Sequence, residues 1–198
     1  MIQRVSLLVA GLLVAFIAGR AVAQSDRIVK GTVTLPPDSG AVKDVVVYLE
    51  GPIGTPTPAK AIVDQKNMTF IPHVLPVTVG SSVEFRNSDD VLHNVFSNSP
   101  TQQFDVGMFG HGDARSVTFT KPGVVELRCN VHPSMHAYIV VLENNYFTSP
   151  DDRGLYQITG IPAGRYKLRA WHESLPPIET WANLDDAALR SIDLKFKQ

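Results

Sequence analysis

Val124-Val125-Glu126-Leu127-Arg128-Cys129-Asn130-Val131-His132-Pro133-Ser134-Met135-His136-Ala137-Tyr138-Ile139-Val140-Val141-Leu142 reads as two strands joined by a short loop. The flanks, Val124–Leu127 and Ala137–Leu142, are apolar runs rich in β-branched residues, as buried strands are. The loop between them, Cys129 to Met135, holds the only cysteine of the 198-residue chain beside a histidine and a methionine. A second histidine stands well upstream, in Leu92-His93-Asn94-Val95. One thiolate, two imidazoles and one thioether form the donor set of a copper site with an equatorial Cys and His pair and a long axial Met. Zinc favours more thiolates or a water-bearing histidine and carboxylate set and has little use for a thioether. A lone cysteine forms no internal disulfide, and in an oxidising compartment metal ligation would protect it.

Outward from this stretch the patterning stays β. Val29, Val33 and Leu35 alternate with Lys30, Thr32 and Thr34; Val45, Val47 and Leu49 alternate with Asp44, Val46 and Tyr48. Short runs at Val77–Val79, Val83–Phe85 and Val117–Phe119 follow, separated by turn chemistry such as Val79-Gly80-Ser81 and Lys121-Pro122-Gly123. The one helical candidate is Asp185–Arg190, a turn or two. Many short strands with Gly/Pro turns predict an all-β sandwich or barrel.

The first residues predict export. Arg4 supplies a positive start, Val5–Ala18 an apolar stretch, and Ala21-Val22-Ala23 a cleavage signal, so residues 1–23 read as a signal peptide cleaved after Ala23. Removing Arg4 and Arg20 from 18 basic residues leaves 16 against 19 acids, a net charge of −3. No basic run is present, which argues against a nucleic-acid partner. No later segment is apolar for long enough to span a bilayer.

Two composition breaks divide the chain. Gly51-Pro52-Ile53-Gly54-Thr55-Pro56-Thr57-Pro58 reads as a stiff linker, and Asn144–Asp152 as a polar passage. The ligand-bearing segment, 60–143, lies between them.

That interval resembles the cupredoxins, the small blue copper proteins of the amicyanin and plastocyanin kind. The resemblance is carried by Phe70-Ile71-Pro72, Val77–Gly80, Val83–Asn87, His93-Asn94-Val95, Cys129-x-x-His132-x-x-Met135 and Tyr138–Val141. It implies a Greek-key β-sandwich, with His93, Cys129 and His132 equatorial and Met135 axial on one copper ion. It also implies Asn94 bonding across to the cysteine loop. Three residues depart from the pattern. Asn130 follows the cysteine where many relatives carry Ser or Thr. Arg128 precedes it where plastocyanins have an aromatic, leaving the His132 edge as the expected electron gate. His136 directly follows Met135, and neighbours on a strand point to opposite faces, so the thioether and not this imidazole is the expected axial donor. His73, His111, His136 and His172 carry no metal-like local spacing, so a second metal site built from them is not expected.

The segments outside this interval resemble the opening and closing strands of carboxypeptidase regulatory-like (transthyretin-like) β-sandwiches. Ile28–Leu49 supplies two strands, Gly154–Trp171 two more around Pro162-Ala163-Gly164, and Leu194 with Phe196 a final one. Two strands cannot bury a core. The expectation is therefore a discontinuous second small sandwich, 25–55 with 145–198, into which the copper module is inserted or on which it is packed; the alternative is one enlarged sandwich with extra edge strands.

The function these readings imply is single-electron transport in the periplasm. Partners by resemblance are c-type cytochromes or dehydrogenases, docking on apolar surface around His132, Pro133, Phe109 and Val131. A copper carrier or metallochaperone is the first alternative, disfavoured by only three methionines after Ala23 (Met68, Met108, Met135). An envelope-binding module with a structural copper is the second. Enzyme chemistry is not expected: there is no His-x-His pair for a copper cluster, one cysteine cannot bridge two coppers, and four protein donors leave no open position.

Overall fold

The computed structural model describes residues 27–185 and 188–198. The expected signal peptide lies outside them. The described chain is β throughout apart from one 3-10 turn, Val42–Asp44. The first strands are β1 (Arg27–Thr34), β2 (Val46–Leu49), β3 (Lys60–Gln65), β4 (Phe70–Ile71) and β5 (Val74–Thr78). Then come β6 (Ser82–Asn87), β7 (His93–Ser99), β8 (Gln102–Phe109), β9 (Ala114–Thr118), β10 (Gly123–Arg128) and β11 (His136–Leu142). The last are β12 (Phe147–Thr148), β13 (Leu155–Ile161), β14 (Arg165–Trp171), β15 (Ile178–Asn183), β16 (Leu189–Ser191) and β17 (Leu194–Lys195).

Two sheets, ordered β5-β11-β10-β7-β8 and β4-β3-β6-β9, face each other. Their core is built around Phe70, Phe85, Phe119, Leu127 and Ile139, and it includes Cys129 and Met135. This is the β-sandwich expected of the ligand-bearing segment. The two ends of the chain supply another pair of sheets, β13-β1-β16 with β17 on β1, and β12-β2-β14-β15. Their separate core gathers Val29, Val47, Leu49, Ile158, Leu168 and Leu194.

A third apolar cluster, Val46, Val74, Val140 and Leu142 with Tyr48, Tyr138, Phe147 and Trp171, joins the sandwiches. It explains why β11 and β2 do not alternate cleanly. On β11, Ala137, Ile139 and Val141 enter the copper-module core while Tyr138, Val140 and Leu142 face the seam. On β2, Val47 and Leu49 face their own core and Val46 turns to the seam. A strand covered on both faces reads as a continuous apolar run because no face meets water.

One expectation is corrected here. Leu189–Ser191, which overlaps the end of the predicted helix Asp185–Arg190, pairs in parallel with Ile28–Lys30 of β1, while residues 186–187 lie outside the described ones. A stretch of six residues is too short to sustain a helix against an available sheet edge. The Pro162-Ala163-Gly164 turn separates the two strands expected around it, β13 and β14, and carries the chain from one sheet to the other, since β13 pairs with β1 and β14 with β2 and β15.

Candidate metal centre

Topology brings Cys129 and His132 of the short loop to the far histidine, and Met135 into the same core cluster as Cys129. β10 runs antiparallel to β7, pairing Arg128 with Phe96. The end of β10 therefore lies at the same edge of the sheet as the start of β7. His93 is the first residue of β7, and Cys129 follows the last residue of β10. The loop then closes tightly: the Met135 N–H donates to the His132 carbonyl at 2.9 Å. Pro133 sits at the second position of that turn, where its fixed φ is favoured and no donor is lost.

The resulting geometry is compact. The Cys129 Sγ lies 3.8 Å from the His93 Nδ1, and the His132 Nδ1 lies 3.1 Å from the same nitrogen. His93 is fully buried, Cys129 and Met135 nearly so, and His132 is half-buried. With nitrogen–metal bonds of about 2.0 Å and a sulfur–metal bond of about 2.3 Å, one ion would subtend roughly 100° between the nitrogens and roughly 125° between sulfur and the His93 nitrogen. Those angles suit a trigonal copper site, and a thiolate with two imidazoles is soft enough to hold Cu(I) while still accepting Cu(II). Met135 is buried in the core cluster that contains Cys129.

The surroundings hold the donors in place. The Asn94 Oδ1 accepts the Asn130 N–H at 2.8 Å, tying β7 to the loop, while its Nδ2 donates to Asp105 at 3.3 Å. His93 presents its other nitrogen, Nε2, to the Asp89 carboxylate at 2.8 Å. A carboxylate on the distal nitrogen fixes the tautomer so that Nδ1 offers its lone pair to a metal. Asp89 is itself anchored, accepting the Asn67 and Met68 N–H groups of the β3–β4 turn at 2.6 and 2.8 Å. Burial pushes its carboxyl upward, but those two N–H donors and the His93 ring outweigh it and hold it below the ordinary value. The fully buried Asn87 shapes this corner: its Oδ1 accepts the Asp89 N–H, and its Nδ2 donates to the Val91 and Phe109 carbonyls at 2.9 Å each.

Sequence reasoning missed Asp89 and Asn87. The usable signal is an acid four residues before a ligand histidine in a turn, yet Ser88-Asp89-Asp90 looks like any polar loop. Phe109 is a correction: it is 2% exposed, packed in the core, and cannot be a docking residue. The exposed apolar residues near the site are instead Val91, Leu92, Met68, Met108 and Val131. Among the other histidines, His111 is exposed near Asp90, and His172 is buried, its Nδ1 accepting the Ser174 N–H at 3.2 Å. His136 turns away from Met135 toward Glu173, across the seam.

A β-sandwich with a buried cysteine and two convergent imidazole nitrogens at one end defines a copper-binding protein of the blue type. Residues 58–142 match the family described as copper binding proteins, plastocyanin/azurin family, and the chain belongs to that family through this segment. Copper is accordingly the cofactor. Three solved structures show the likeness. A purple cupredoxin from Nitrosopumilus maritimus is 25% identical, the match covering 41% of this chain and 98% of that one, with a TM-score of 0.38. A tryptophan-to-tyrosine mutant of amicyanin in its reduced form is 30% identical over 40% of this chain and 79% of its own, with a TM-score of 0.39. A copper-containing nitrite reductase from Thermus scotoductus SA-01 is 28% identical over 57% of this chain and 28% of its own, with a TM-score of 0.41. No curated protein matches the sequence.

Proposed function

We propose that this protein is an exported, non-enzymatic carrier of single electrons between periplasmic redox partners, with His93, Cys129 and His132 as equatorial ligands and Met135 as axial ligand of one copper. The observation that carries the reading is the approach of the Cys129 Sγ and the His132 Nδ1 to 3.8 and 3.1 Å of the same His93 nitrogen. When bound there, copper supplies one-electron chemistry between Cu(II) and Cu(I). The residues keep the donors fixed so that little rearranges as the charge changes: Pro133 stiffens the loop, Asn94 pins it to β7, and Asp89 orients the His93 ring.

The half-buried His132, flanked by the exposed Val131 and Pro133, is the proposed exit for the electron. Val91, Leu92 and Met68 lie on the two loops that carry Asp89 and hold it, and extend an apolar rim suited to a small, transient interface. A c-type cytochrome or a dehydrogenase is the partner class in view. No helix among the described residues is long and apolar enough to cross a membrane. The outer strands, 25–55 with 145–198, are proposed as a regulatory-like sandwich into which the copper module, 60–143, is inserted.

An optical and EPR spectrum of the copper-loaded chain tests this. The reading requires an intense blue or purple thiolate-to-copper band that Cys129→Ser abolishes. A pale Cu(II) protein, or colour that survives the substitution, overturns it.

A further inference from the structure

His73, His136 and Glu173 are widely separated in sequence and form a group distinct from His93, Cys129 and His132, although His136 directly follows Met135; their ring nitrogens and a carboxylate oxygen fall within 4.8 Å of one another. The first two stand on the copper module, before β5 and at the start of β11; Glu173 follows β14 on the other sandwich. The His73 Nε2 lies 2.8 Å from the Glu173 Oε1, and the His136 Nε2 lies 3.6 Å from the Glu173 Oε2. The two rings meet edge to face with centroids 5.2 Å apart. We propose that these three side chains form a second metal site, which binds a divalent first-row transition ion, Cu(II) or Zn(II), between the sandwiches.

The tautomer of His136 points to a cation. Its Nδ1 lies 3.1 Å from the Ser134 carbonyl, which can only accept, so Nδ1 is the donor and, in the neutral ring, Nε2 is the nitrogen whose lone pair faces Glu173. A lone pair opposed to a carboxylate oxygen is repulsive, and an ion between them turns both into ligands. A backbone carbonyl on the distal nitrogen is also how ligating histidines are commonly oriented. Two imidazoles and a carboxylate suit Zn(II) and Cu(II), and three protein donors leave room for water.

Tyr138 frames the cluster, its ring edge-on to both His73 and His136 at centroid distances of 5.7 and 6.1 Å. Burial first, and then the Glu173 charge, push its phenol above the ordinary value, so it remains an O–H donor beside that carboxylate. The Glu173 and His73 side chains are 25% exposed and that of His136 43%, so an ion can enter from solvent. Because the donors come from both sandwiches, the ion would staple the outer sheets onto the strand that begins directly after Met135.

The test uses the full chain with its blue site already filled by copper. Further Cu(II) is added, EPR is recorded, and retained metal is counted after desalting. The site predicts two ions per chain, the second with a tetragonal, weakly coloured signal. In Glu173→Gln and in His73→Asn, retention falls to one ion with the blue band unchanged. In Cys129→Ser the second signal persists while the blue band is lost, so failure of the blue-site reading leaves this one standing. Retention of one ion by the wild-type chain, or a second ion that survives in both the Glu173 and His73 variants, overturns the proposal.

Discussion

Asp89 shows how one carboxylate can fix the orientation of a histidine it precedes by four residues. It accepts from Asn67, Met68 and the His93 ring, and its proton affinity is lowered in the fold. A depressed carboxyl contributes stability that is present above its unfolded pKa and is lost as pH falls through its folded pKa. Asp89→Asn in the metal-free chain is therefore expected to cost about 1–2 kcal/mol at neutral pH. That difference should shrink in urea titrations taken below about pH 4, where the unfolded carboxyl protonates. Asn94→Ala removes the acceptor for the Asn130 N–H and should weaken copper binding roughly ten- to a hundred-fold in chelator competition, as loss of outer partners does elsewhere. The approach of Cys129 and His132 to His93 was legible in part because both stand in one short loop of seven residues. Asp89, and the grouping of His73 with His136 and Glu173, were not. Their partners are distant in sequence, and an acid or a histidine in a polar loop carries no local mark of what it will face.

Among the elements, β11 and β1 do the most to fix the arrangement. The apolar run of β11 was readable as a strand, but which of its residues would face a second layer was not, because that depends on β2 and β14 arriving from the chain ends. Of the β7–β8 hairpin only the strand carrying His93 was expected; the alternation of Phe104, Val106 and Met108 with Asp105 and Gly107 on β8 was there to be read but not used. On β1, Gly31 passes so close to the last strands that a Cβ there would meet the Ile192 carbonyl oxygen at 1.9 Å. Backbone cannot yield as a flexible side chain does. Gly31→Ala is expected to destabilise the chain by roughly 2–3 kcal/mol, measured by chemical denaturation, without changing the copper spectrum.

For the molecule as a whole, the seam of Val46, Val74, Val140 and Leu142 beneath Trp171 couples two cores that are otherwise separate. Calorimetry of the wild-type chain should show one cooperative transition. Leu142→Ala should cost about 2–4 kcal/mol, and combined with Trp171→Ala it should divide the melt into two transitions as the sandwiches uncouple. The β class and the two composition breaks could be read from Gly/Pro punctuation, whereas the seam could not, since both its halves look like ordinary strand interiors. All of this bears on one end of one sandwich, where a sulfur and two nitrogens converge. X-ray absorption at the copper edge of the full chain, loaded with a single equivalent, examines that arrangement directly. The account predicts one sulfur at short range with two imidazole nitrogens; a coordination shell of nitrogen and oxygen alone would contradict it.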